Sequence, residues 1–248
     1  AHREHDRPVL VLCEGSGDAA RIAADLRFFE HQDSVERAGG SVLTYPAAEN
    51  SPFVDVAPDR RSAMDRLATL FHLAHGRTFA FLVAEAAAVL RRVPPAAAIE
   101  QRSRLVREGE TLDRAAFLAA LTEGGYMRSP LVEDPGTFAV RGALVDVYPP
   151  LSAEPFRIEV DDDVVVSIRR FDPDDQRTLG PATEIAIHPV RETLLGGAEL
   201  ELAKQKLSDL CDSLNMPSSK RRQLIEELGT GRSLLGIEGF LPAFYPEL

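Results

Sequence analysis

From Pro135 to Arg177 the chain reads PGTFAVRGALVDVYPPLSAEPFRIEVDDDVVVSIRRFDPDDQR, with apolar and polar residues alternating along it. A period of two is the pattern of half-buried antiparallel strands, whose successive side chains point to opposite faces. Turn residues punctuate the run at Pro135-Gly136, Pro149-Pro150, Asp161-Asp162-Asp163 and Asp172-Pro173. One hairpin can be set in register. With a three-residue loop at 161–163, Phe156, Ile158 and Val160 share a face with Val164, Val166 and Ile168. A two-residue loop would mix charged and apolar residues on each face, which a half-buried sheet disfavours. The three-residue loop is therefore expected, with Arg157 and Glu159 outward, close to Ser167, and Asp161 at the rim. Arg141 and Arg157 then stand on one small sheet, flanked by Tyr148 and Phe156. Arginine forks bind carboxylates in pairs and are enriched at binding hot spots. An exposed charged sheet without catalytic groups points to a protein-binding surface.

Upstream the pattern differs. PVLVLC (8–13), SVLTY (41–45) and TFAFLV (78–83) read as buried strands. They alternate with helical spacing over 18–30, 60–75 and 84–92, the last ending at Pro94-Pro95. Alternating strands and helices predict an α/β fold with a parallel sheet covered by helices. A short helix over 112–121 follows, with Thr111 as cap and Gly124-Gly125 as stop, then about five short strands. ATEIAIHPV (182–190) is expected to return the chain to the parallel sheet, and 200–214 and 220–228 to be helices. The expected division is 1–102 as the first half of one domain, 103–187 as a small α+β domain with an antiparallel sheet inserted into it, and 188–248 as its second half.

At 44% hydrophobic, 248 residues can bury a sizeable core. With 28 basic and 39 acidic residues, the formal charge of -11 argues against independent binding to nucleic acid or an anionic membrane. No apolar run approaches a membrane span, so neither a membrane helix nor a signal peptide is expected. Cys13 and Cys211 read as reduced thiols of a cytoplasmic protein.

Gly15-Ser16-Gly17-Asp18 follows a strand and opens a helix, where backbone N–H groups can cradle phosphate. It lacks the Lys-Ser/Thr ending of a phosphate loop, and an aspartate there repels phosphate. A plain turn with Asp18 as cap is expected instead, and no nucleotide cofactor. His72 and His75 are three apart on a helix but have no further ligands in sequence, so no metal is expected. Asp161-Asp162-Asp163 lacks the ligand spacing of a calcium loop. No serine elbow or cysteine–histidine pair supports a catalytic residue.

The chain resembles the amino-terminal, UvrB-like module of the bacterial transcription-repair coupling factor (Mfd) family. The resemblance is carried by Gly124-Gly125-Tyr126, Pro135-Gly136-x-Phe138-x-x-Arg141-Gly142-x-x-x-Asp146-x-Tyr148-Pro149, Pro155-x-Arg157-x-Glu159, and Ser167-x-Arg169-x-Phe171-Asp172-Pro173-x-x-Gln176-Arg177. Tyr45-Pro46, Glu49, Ser51-Pro52-Phe53 and Gly236-Ile237-Glu238-Gly239-Phe240-Leu241-Pro242 match more weakly. The resemblance implies a degenerate P-loop-NTPase-like domain that has lost its phosphate loop, interrupted by a UvrA-binding domain. It implies a non-catalytic adaptor that recruits UvrA, with RNA polymerase and DNA engaged only through domains absent here. It also implies that a carboxy-terminal domain of the parent protein masks the same surface. The family's two contacting arginines fall on Arg141 and Arg157, and its contacting aromatic falls on Asp161. An aspartate cannot fill an apolar pocket, so Tyr148 is a candidate replacement. Reversing both arginine charges is expected to abolish UvrA binding with the fold intact.

Overall fold

A computed structural model describes residues 7–31, 41–47, 59–150, 152–193, 197–229 and 241–245. Glu49, Ser51-Pro52-Phe53 and 236–240 lie outside the described residues. The fold is mixed α/β with several separate sheets.

The amino-terminal part alternates as expected: β1 (Val9–Cys13), α1 (Ser16–His31), β2 (Val42–Tyr45), α2 (Arg60–Ala74) and β3 (Phe81–Glu85). The three strands form a parallel sheet in the order β1-β3-β2, with Phe81 opposite both Val9 and Val42. Ala19 and Ala23 of α1 pack on Cys13, Val42 and Val83. Asp59 caps α2, accepting from the backbone N–H of Arg61 at 3.2 Å and of Ser62 at 3.1 Å. Helix α1 begins at Ser16, so Asp18 stands in its first turn and pairs with Arg21 at 2.9 Å rather than serving as its cap.

The helix expected over 84–92 is replaced by a turn and a single 3-10 turn, Ala88–Leu90. Strand pairing claims Ala84 and Glu85, opposite Leu12 and Cys13, so the first residues of the expected helix belong to β3 instead. The Pro94-Pro95 pair also starts an element. Pro95, at φ -57°, is the N-cap of α3 (Ala96–Gln101).

The middle segment holds β4 (Arg104–Arg107), α4 (Arg114–Glu123), β5 (Met127–Arg128), β6 (Thr137–Arg141), β7 (Leu144–Val147), β8 (Phe156–Asp161), β9 (Val164–Phe171), β10 (Thr178–Ala182) and β11 (Glu184–Ile187). Strands β5 to β10 form one sheet in sequence order, antiparallel except for the β5/β6 pair. The cap of α4 is Asp113, whose carboxylate accepts from the Ala116 N–H at 2.9 Å, rather than Thr111. Phe117 and Leu121 of α4, with Val106, Ile185 and Ile187, cover the inner face of the sheet: Phe138, Val145, Val147, Ile158, Val160, Val165 and Ile168.

Strand β11 does not return to the parallel sheet. It pairs antiparallel with β4, Glu184 opposite Arg107 and Ile187 opposite Arg104, because its apolar face, Ile185 and Ile187, completes the core beneath the six-stranded sheet.

The β8–β9 hairpin also differs from expectation. Its loop has two residues, Asp162 at φ 45° and Asp163 at φ 59°, the backbone signs of a type I′ turn. A bulge restores the facing that this register would otherwise lose. Val160 pairs with Val165, but Glu159 pairs with Ser167, so the extra residue Val166 drops out of register. Val160, Val165 and Ile168 are buried, whereas Val164 and Val166 are exposed.

Helices α5 (Gly197–Ser213), α6 (Ser218–Gly229) and α7 (Leu241–Phe244) pack around Ala203, Leu207, Leu228, Phe244 and Tyr245. Named contacts tie the parts together. Arg66 meets Glu192 at 2.7 Å in a buried pair, and Arg102 bridges Glu123 and Glu199 at 2.8 and 2.7 Å. Arg60 donates to the carbonyl of Gly136, whose φ of +75° places Met64 and Arg60 where a side chain would stand. The Phe71 ring stacks on His188 at 5.1 Å, with His75 at 4.4 Å and Arg77 over it at 5.1 Å. His72 and His188 are buried, and burial pushes His188 down to about 4 and lowers His72. His72 thus sits in a packed ring cluster.

Candidate protein-binding face

The outer face of the six-stranded sheet is set by strand alternation and register. Across β6, β7, β8 and β9 one row runs Ala139, Asp146, Arg157, Arg169; the next runs Arg141, Leu144, Glu159, Ser167. The two rows carry two neighbouring polar groups, one around Asp146 and one around Glu159.

At the centre of the first is Asp146, 1% exposed and carried on a middle strand. Its Oδ1 accepts from Arg157 Nε at 2.8 Å, and its Oδ2 from Arg157 Nη2 at 2.9 Å. The same Oδ2 accepts from Nη2 of Arg141. Two guanidinium groups thus satisfy a carboxylate that would be costly to bury alone. Arg157 is further held by the Phe171 ring, 4.6 Å from its Cζ, and its side chain is 18% exposed. The bond to Asp146 holds the Arg157 guanidinium above its ordinary range, against burial, which pulls it down. Arg141 is 44% exposed and tied at one end only.

Around this core, Glu159 Oε2 accepts from Ser167 at 3.0 Å and from Arg169 at 3.3 Å, the closeness to Ser167 that the strand pattern anticipated. Asp161 is exposed at the end of β8, and its carboxylate makes no bond among the described residues. It lies on the face of Arg157, about 13 Å further along the strand. Tyr148 is buried with Val132, Ala139 and Phe171, and its hydroxyl donates to the Ala153 carbonyl at 2.7 Å. It thus packs on the face of the sheet that carries the arginines. The turn after β9 is held by Asp172, whose Oδ1 accepts from the N–H of Asp174 at 2.8 Å.

Sequence reasoning found the arginines and missed what joins them. Asp146 and Phe171 are the missed residues. The available signal was a lone acid in the apolar run Leu144-Val145-Asp146-Val147, which hairpin register sets opposite Arg157. Cys13 and Cys211 are free thiols, and both are buried. Among the described residues no three His, Cys, Asp or Glu side chains gather as metal ligands, and no helix is long and apolar enough to cross a membrane.

Residues 105–192 match the UvrB interaction domain. The chain is 38% identical over 241 residues to a transcription-repair-coupling factor of Myxococcus xanthus, covering 97% of this chain and 20% of that protein. It is 30% identical to the one of Bacillus subtilis, over 98% of this chain and 21% of the relative. It is 27% identical to the one of Escherichia coli, over 98% and 20%. The chain spans about a fifth of the length of the curated relatives it matches. Along nearly its whole length it is therefore similar to one portion of the transcription-repair-coupling factors, and its own residues 105–192 match the UvrB interaction domain.

Proposed function

We propose that this chain is a non-catalytic adaptor module that recruits UvrA to stalled RNA polymerase in the cytoplasm, for nucleotide excision repair. In this reading residues 103–187 form the docking domain, inserted between the two halves, 1–102 and 188–248, of a degenerate nucleotide-binding-like domain. Polymerase and DNA are engaged by parts of the parent protein outside this chain. Arg141 and Arg157 are the anchors, Asp161 lies at the rim of the contact, and Tyr148 packs with Phe171 on the same face of the sheet. The observation that carries the reading is the pair of arginines tied to Asp146 on an outward sheet face, within the stretch that matches the UvrB interaction domain. Arginine pairs held in this way present N–H groups to a partner's carboxylates at little entropic cost.

Titration of the chain against UvrA from the same organism tests the proposal. Saturable binding that Arg141→Ala weakens at least tenfold is the expected result, and equal binding by that variant overturns the site. Asp161→Phe measured alongside reports whether the rim accepts an aromatic contact, with tighter binding expected. Calorimetry with ATP and magnesium should give no binding heat. A nucleotide-dependent heat would favour a hydrolase working through the Gly15–Gly17 loop.

A second arrangement uses the same face. If the parent's carboxy-terminal domain covers it, UvrA binds the isolated chain more tightly than the full-length parent, a shift between closed and open populations.

A further inference from the structure

The two arginines do not make equivalent use of their donors. Arg157 spends Nε and Nη2 on Asp146 and sets its Cζ over the Phe171 ring, so three restraints fix it. Arg141 gives Asp146 only Nη2, and its Nε and Nη1 make no bond among the described residues. Asp146 is itself fixed, nearly inaccessible on a central strand between β6 and β8. An acid at this place lowers the net positive charge of the patch by one. A face built only to attract an acidic partner by charge would be stronger without it.

We propose that Asp146 is the positioning residue of this face: it locks Arg157 and steers Arg141, so that Arg141 meets a carboxylate side chain of the partner in a preformed geometry. The inference rests on the reading that the face binds UvrA. A planar guanidinium loses less freedom per hydrogen bond when it is already oriented, and a buried network fully satisfied on both sides is rigid. Of the two anchors, Arg157 is held in place by Asp146 and Phe171, and Arg141 is the one that Asp146 steers.

The test turns on the sign of the effect. Asp146→Asn keeps the shape of the side chain and makes the patch more positive. Positioning predicts at least tenfold weaker binding to UvrA, whereas attraction by charge predicts unchanged or tighter binding. Arg157→Lys keeps every charge but loses the paired Nε and Nη2 donors, and positioning predicts a similar loss. The Nε–H resonance of Arg157, followed by proton–nitrogen spectroscopy, should be sharp and protected in the wild type and lost in Asp146→Asn. Wild-type binding is measured first: its absence removes the UvrA reading itself. Wild-type binding together with unweakened binding by Asp146→Asn overturns the positioning role. Should Asp146→Asn not fold, Arg157→Lys decides: weakened binding supports the role, and wild-type binding overturns it.

Discussion

Asp146 and Arg157 stand or fall together. Truncating Arg157 to alanine leaves a carboxylate that is 1% exposed with a single remaining partner, and a loss of about 3 kcal/mol in urea unfolding is expected. Arg141→Ala removes a half-exposed partner and should lose about 1 kcal/mol. Equal losses for the two variants would contradict the asymmetry of their contacts. The same geometry revises the expectation that both charges can be reversed with the fold intact, since the double reversal would set two further carboxylates against the buried one of Asp146. His188 gives a second prediction at this scale. Its ordinary value is 6.5, and burial against Phe71 holds it at about 4 in the fold. The neutral ring therefore stabilises the fold fully above pH 6.5, and that contribution is lost as pH falls from 6.5 to 4. It amounts to about 3 kcal/mol. His188→Phe should flatten this part of the stability profile, measured as the difference from wild type at each pH.

Among the elements, the β8–β9 hairpin shows what alternation can and cannot reveal. The inward set Phe156, Ile158 and Val160 was legible on one strand. On the other strand the run Val164-Val165-Val166 is uniformly apolar, so period two could not say which valines are buried, and the bulge that decides it leaves no compositional mark. Asp162 and Asp163 hold positive φ, a conformation that strains a side chain. Asp163→Gly should raise the melting temperature, by an amount corresponding to about 1 kcal/mol, while the Asp163 carbonyl still accepts from the N–H of Leu112. Gly136→Ala should act in the opposite sense. At φ +75°, its added carbon would meet Met64 Sδ at 2.8 Å and Arg60 Nη2 at 2.9 Å, and a loss of about 2 kcal/mol is expected. The parallel strands were readable because their apolar runs are short and bounded by breakers. Strand β4 was missed because Arg104-Leu105-Val106-Arg107 is too short to show a period, and β11 was sent to the wrong sheet because pairing partners far apart in sequence carry no local signal. The arginines of the face were legible as outward strand positions, but the acid joining them came into view only once register was known.

For the whole molecule, the middle segment carries its own core apart from Met64 of α2. Expressed alone, residues 103–193 should unfold cooperatively but at lower urea concentration than the whole chain, since Arg60, Met64 and Arg66 would no longer meet Gly136 and Glu192. A noncooperative transition would mean that the segment depends on its neighbours to fold. The pairing of β4 with β11 has one more consequence. Arg104 lies directly across a ladder from Ile187, so the chain enters and leaves this segment about 5 Å apart. A segment whose two ends meet at one point can be grafted into an exposed loop of another protein by opening a single peptide bond there. The six-stranded sheet is thereby transplantable: the protein around it can change in length or composition without disturbing a single one of its strands.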